Sequence, residues 1–358
     1  MKNYTILLLV ALLQTFVANS AERKDSAQCS SSCCRPDAFA PAGIMTDHVH
    51  NKGSFSIAYS YMDMAMQGNR IGTKTVSDAT IFNSYMMATN RMNMQMHMLM
   101  PMYGITNRFT LMAMLSYNAN TMSMHMMPMQ NMMNMPGMTM ADYSKMPTSM
   151  KSSGLGDTKI YALYNVLPSC NHRLVTGLGL SLPTGSIHAK GATMQSTTDI
   201  LPYNIQLGTG TYNLLPSLVY VGQGTHLSWG ADFNANIKLG TNTNNYCFGN
   251  EYSVSPWLAY QFVKYVSVSA RAEYYTVGKL YGYDAAINLS SLNDATANTA
   301  NYGGQKANGY IGVNLYSPAN ILKGSKLLLE YGVPFYQNTV GLQSTVKSTI
   351  TARLQFNF

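Results

Sequence analysis

Methionine is the residue type best placed to do chemistry in this chain: 28 of its 358 residues are Met, and 25 of those fall between Met62 and Met150. Thioethers are soft, neutral ligands that favour Cu(I), and by the same softness Ag(I), over Mg, Ca or Mn. They bind without giving up a proton. Twelve Met lie in the 29 residues from Met122 to Met150, where Pro128, Pro136, Gly137 and Pro147 break any long strand or helix. Read as a loop, this stretch has no lipid to face. Its candidate ligands are Met122, Met124, His125, Met126, Met127, Met129, Met132, Met133, Met135, Met138 and Met140. The competing readings are low-complexity drift, a disordered loop, and a sacrificial oxidation sink in which exposed Met becomes sulfoxide.

Three smaller constellations stand beside it. Phe55, Ile57, Tyr59 and Tyr61 alternate with Ser56 and Ser60, so Met62, Met64 and Met66 are predicted to point inward as a thioether ladder. Met92, Met94, Met96, Met98, Met100 and Met102 share one face of the next strand, with Arg91, Asn93, Gln95 and His97 on the other. Because Arg and Gln are costly against lipid, this predicts an outward, lipid-facing Met row in which Met is mostly a flexible apolar side chain. Asp47-His48-Val49-His50 puts both imidazoles on one side of an extended chain, and Cys29, Cys33 and Cys34 lie upstream. The candidate is a periplasmic His/Cys metal site through His48 and His50; the alternative is a local disulfide beside ordinary surface histidines.

The elements that must position these residues are strands. Charged residues make up 11% of the chain against about a quarter in ordinary soluble domains, which excludes a coiled coil or a charged disordered chain. The net charge of +8 is spread thinly, so no nucleic-acid partner is indicated. Residues 1–20 read as a secretory signal peptide, with Lys2, an apolar run from Thr5, and small residues at Ala18-Asn19-Ser20. Residues 21–52 follow as a mobile N-terminal periplasmic segment carrying the Cys and His.

From residue 53 the pattern alternates with period two, punctuated by Gly, Asn, Pro and Ser, and predicts about twelve strands joined by alternating long and short connections. That rhythm fits one barrel rim with tight periplasmic turns and another with long extracellular loops. At the C-terminus Ile350, Ala352, Leu354, Phe356 and Phe358 share a lipid face, opposite Arg353 and Gln355. The fold expected is all-β: a single antiparallel transmembrane β-barrel over 53–358, with a Met-rich loop at 121–154. Closure satisfies every backbone donor and acceptor inside lipid.

Gly154-Leu155-Gly156-Asp157, Leu182-Pro183-Thr184-Gly185-Ser186, Leu201-Pro202-Tyr203, Gln206-Leu207-Gly208-Thr209-Gly210, Trp229-Gly230 and Tyr331-Gly332-Val333-Pro334 together resemble the outer-membrane barrel family called putative MetA-pathway of phenol degradation. Gly43-Ile44-Met45, the Asp47 to His50 run and Gly68-Asn69-Arg70 look like a Met-rich branch of it. The resemblance implies an outer-membrane barrel with a transport role, and carries no substrate or catalytic residue with it.

Enzymatic chemistry has little support, since seven His occur and none sits in a recognisable nucleophile setting. The expected protein is a non-enzymatic channel or transporter-like barrel of a Gram-negative outer membrane. It needs no cofactor and carries Cu(I) or Ag(I) as bound cargo. Its expected partners are outer-membrane lipid and, through the Phe358 strand, the barrel-assembly machinery. Two alternatives stay open: a porin for hydrophobic or aromatic small molecules with incidental Met, and a non-transporting surface barrel that absorbs oxidants.

Overall fold

A computed structural model describes residues 35–132, 148–167, 169, 171–193, 198–288, 294–317 and 324–358. The strands of the wall are β1 (Phe55–Gly72), β2 (Met87–Gly104), β3 (Phe109–Met126), β4 (Ser149–Leu155), β5 (Thr158–Asn165), β6 (His172–Leu182), β7 (Asn213–Gln223), β8 (Leu227–Lys238), β9 (Glu251–Val263), β10 (Val266–Val277), β11 (Gly304–Tyr316) and β12 (Lys326–Asn357). Apart from β4 and β5, each pairs antiparallel with its neighbours in chain order, and β12 returns to pair with β1, which closes the barrel. β4 and β5 both pair with β3 and form one wall strand interrupted at Gly156-Asp157. β12 pairs with β11 over 326–339 and with β1 over 342–357, reversing at Gly341, where φ is +69°. The wall therefore has eleven strand positions, the last made of two limbs, in agreement with about twelve strands.

Alternation decides which residues face where. Leu111, Leu115, Ile160, Leu178, Leu218 and Leu258 are exposed on the outer face, where lipid replaces water as their solvent. Ser56, Ser60, Thr110, Ser255, Arg271 and Glu330 are buried on the inner face. The terminal strand follows its predicted parity: Ile350 is exposed, whereas Thr349, Thr351, Arg353 and Gln355 are buried inward. Phe358 completes the seam, its N–H donating to the Phe55 carbonyl at 2.8 Å and its ring stacking on that of Phe55.

The structure departs from two expectations. The Met row of β2 faces inward, with Met92, Met98, Met100 and Met102 buried and Leu99 and Tyr103 exposed outside. The reason is length: β2 has 18 residues, whereas a tilted transmembrane strand needs about 9–11, so Arg91, Asn93 and Gln95 stand on the projecting part, where outward polar side chains meet water. By the same excess length, part of the predicted Met-rich loop is wall. β3 continues to Met126 and β4 resumes at Ser149, with Met122 paired to Met150.

Candidate functional site

The inward Met residues of four neighbouring strands fall into register. Met66 of β1 pairs with Met92 of β2, Met92 with Met122 of β3, and Met122 with Met150 of β4. At about 4.8 Å between strands, the four residues form a row roughly 14 Å long on one side of the lumen. The next levels down are Met64 opposite Met94, then Met62 opposite Met96. These four side chains are only partly buried, so their thioethers contribute lumen surface.

The upper row has a roof. The connection between β6 and β7 folds inward, and Leu201 and Ile205 pack in one buried cluster with Met87, Met92, Met122, Met124 and Met150. The backbone of this roof is tied down: Ser152 Oγ donates to the Ile205 carbonyl at 2.5 Å, and Asn118 Nδ2 to the Leu207 carbonyl at 3.2 Å. Between Leu201 and Ile205, Asn204 directs Nδ2 at the sulfurs of both Met92 and Met122, 3.6 Å from each.

At the short-turn end, residues 35–51 fill the barrel mouth, which corrects the expectation of a mobile segment over this part. The sequence itself supplies the reason: inward Arg173 and Arg353 meet backbone carbonyls that must be satisfied once buried. Arg173 donates to the carbonyls of Ala38 and Asp47 at 2.9 and 3.0 Å, and Arg353 to those of Ala42 and, at 2.7 Å, Ile44. The Gly43 N–H donates to Glu330, which is held by Arg271 at 2.8 and 3.0 Å. Ala40 and Ile44 pack against Val219, Val221 and Trp257. Met45 and Val49 rest on the cluster containing Met100, Met102, Met112 and Met114. The lower Met residues are thus core packing for a plug, while the upper ones line the space above it.

His48 and His50 lie in this plug with ring centroids 5.0 Å apart. Both nitrogens of His48 are engaged, Nδ1 with Asp47 at 2.7 Å and Nε2 with the Gln355 amide at 3.1 Å, and His50 Nε2 meets Ser56 Oγ at 2.8 Å. Burial and the nearby His48 and Lys326 hold His50 down to about 3, and burial likewise lowers His48. Burial opposes ionisation of Asp47, but His48, Arg173 and the Ala40 N–H together hold its carboxyl well below the usual range. These histidines are committed to packing the plug. Among the described residues no three His, Cys, Asp or Glu side chains converge on a common point.

The remaining predicted ligands separate. Met62, Met64 and Met66 point inward as expected, and Met122 and Met124 join them. His125 faces out and pairs with Asp78 at 2.7 Å, which parts it from Met124. Met127 is buried, while Met126 and Met129 are partly exposed near the rim. Met132 ends a short helix, Met129–Met132. Met133, Met135, Met138 and Met140 lie outside the described residues, as do the signal peptide, Cys29, Cys33 and Cys34. The reasoning from sequence missed Met92, Met94, Met96 and Met150 as lumen groups. The signal that could have found them is the lower half of β2, where Leu99 and Tyr103 alternate with Met and claim the lipid face.

A closed antiparallel wall, apolar outside and lined within by thioethers and polar groups, defines the class: an outer-membrane type of β-barrel. Residues 129–280 match the family model described as Putative MetA-pathway of phenol degradation, a span that includes the motifs from Gly154-Leu155-Gly156-Asp157 to Trp229-Gly230. An outer membrane channel from Pseudomonas putida F1 has a similar fold, with a TM-score of 0.58 and 14% identity over 87% of this chain and 98% of that one. The Ralstonia pickettii toluene transporter TbuX aligns at a TM-score of 0.43 with 10% identity, covering 90% of this chain and 98% of its own. No curated protein matches the sequence.

Proposed function

We propose that this protein is an outer-membrane channel that binds soft monovalent ions, Cu(I) or Ag(I), along a thioether wall and passes them toward a plugged periplasmic mouth. The in-register run Met66, Met92, Met122 and Met150, continued by Met64, Met94, Met62 and Met96, carries the reading. A lipid-exposed Met row would have an ordinary apolar role; a row turned into the lumen offers successive neutral soft donors. Weak, repeated sites suit passage better than one tight site. Met126, Met127 and Met129, near the rim above, supply further donors at the extracellular end. In this reading the short turns, the plug and the Phe358 strand lie on the periplasmic side, the strand serving recognition by the barrel-assembly machinery.

A second reading, passage of small aromatic or apolar molecules, draws on the family match over residues 129–280. Thioether surfaces also accommodate such solutes. Titration of the purified barrel with Ag(I) against a competing chelator separates the two. Saturable binding that is lost when all eight, Met62, Met64, Met66, Met92, Met94, Met96, Met122 and Met150, become Leu supports the soft-ion channel. Equal, weak binding by both proteins leaves the apolar solute as the better reading.

A further inference from the structure

We infer that Asn204, Met92 and Met122 form one defined soft-ion site under the inward-folded loop, in which the carboxamide oxygen completes a pair of thioethers. The inference rests on the soft-ion reading and locates its tightest point. Three observations carry it. Asn204 Nδ2 stands 3.6 Å from both sulfurs, so a single side chain addresses two neighbouring thioethers at once. Its Oδ1 is buried without a hydrogen-bond partner, an expensive arrangement for an amide oxygen unless another state uses it. The two Met are themselves buried in one cluster with Leu201 and Ile205, which screens their sulfurs from bulk water.

Nδ2–H to sulfur contacts are weak, so a half-turn of the amide about χ2 gives up little. That turn puts Oδ1 where Nδ2 now lies, between the two sulfurs, and makes a neutral two-sulfur, one-oxygen donor set. No proton is released and no bond is made or broken elsewhere. Met66 and Met150 flank the pair in the same row and supply a third sulfur as the ion moves along it. Such a set excludes Mg and Ca, which seek several hard oxygens, and takes Cu(I) or Ag(I). The roof thereby acts as a selective entry point above the more open Met64, Met94, Met62 and Met96 levels.

The test uses the full barrel in detergent with Ag(I) alone as probe, read by competition titration and by X-ray absorption at the silver edge. The variants are M92L with M122L, N204L, N204D, and M62L with M64L as a comparison lower in the lumen. Leu for Met conserves volume, and intact barrel structure is checked by circular dichroism. The expected result is loss of the tightest site in M92L/M122L and retention in M62L/M64L. N204L should weaken it by roughly 10- to 100-fold, the usual toll of removing a group that completes a metal's surroundings, and should remove the oxygen from the silver shell. N204D, which offers oxygen in either orientation, should bind at least as tightly as the native chain. Unchanged affinity and shell in N204L, or a tight site that survives M92L/M122L and vanishes in M62L/M64L, overturns this site and leaves the thioether channel standing. Absence of saturable Ag(I) binding by the native chain overturns both.

Discussion

Asp157 binds Thr209 twice: one carboxylate oxygen accepts the Thr209 N–H at 2.9 Å and its Oγ1 at 2.7 Å. The other oxygen accepts the Gly185 N–H at 3.0 Å. Asp157 sits where the wall strand breaks between β4 and β5, and its two partners belong to opposite ends of the inward-folded loop. Gly185 and Gly208 meet so closely that a side chain on either would collide with the other's backbone. Three separated glycine-containing motifs, around Asp157, Gly185 and Gly208, thus make one clasp, and the clasp holds Asn204 over the Met row.

Replacing Asp157 with Ala should therefore free the roof without unfolding the wall. The lost charge-assisted bonds amount to about 1.5–3 kcal/mol each at most, spent on loop closure. Faster hydrogen exchange and new protease cleavage within residues 198–212, with barrel circular dichroism unchanged, is the expected outcome. An equally protected loop would show that the clasp does not hold it.

The plug should limit conductance. Arg173 and Arg353 hold four backbone carbonyls of residues 35–51, so R173A/R353A removes most of the charged grip while leaving the wall strands paired. In planar bilayers the native chain should show low, noisy conductance, and the double variant a clear increase. Identical traces would mean that ions bypass the plug.

Acid should loosen the same plug. His50 is held to about 3 when docked, by burial and by the charges of His48 and Lys326, against an ordinary value near 6.5. The undocked segment then binds a proton that the docked one refuses, so docking is fully favoured above pH 6.5 and weakens as pH falls from there toward 3. The loss is about 1.4 kcal/mol for each pH unit while His50 alone governs it. Asp47, depressed when docked, acts in the same direction at the acid end. Conductance should rise between pH 7 and pH 5 in the native chain and rise less in H50Q.

The lower Met residues should behave as core. Met100 and Met112 are buried among Ala58, Leu163 and Val175. M100L and M112L should cost under about 1.5 kcal/mol, whereas the Ala variants should cost about 2–5 kcal/mol by leaving a cavity. Neither Leu variant should change Ag(I) binding. Chemical unfolding and silver titration measure the two quantities separately.

What could be read from the sequence was whatever strand parity alone decides. Phe55 to Tyr61 and Ile350 to Phe358 each lie within one membrane thickness, so apolar out and polar in was sufficient. β2 defeated the same rule because its polar outward residues stand beyond the lipid; polarity reports the solvent a residue meets, and on a long strand the outer solvent changes partway. The plug was invisible for a different reason. Its contacts join Ala38 to Arg173 and Ala42 to Arg353, backbone groups matched to distant side chains, and no local pattern encodes such a pairing. Asn204 was hidden in the same way, between the motifs Leu201-Pro202-Tyr203 and Gln206-Leu207-Gly208 and part of neither.

The central claim is that thioethers in the lumen conduct soft ions. It is tested most directly by Ag(I) entry into proteoliposomes that contain the full chain or its M62L/M64L/M94L/M96L variant, with K⁺ conductance recorded on the same preparations. The expected result is Ag(I) entry that falls sharply in the variant while K⁺ conductance is unchanged. Equal Ag(I) entry through both would contradict the claim, since it would show that the Met wall is packing and the ion has another path.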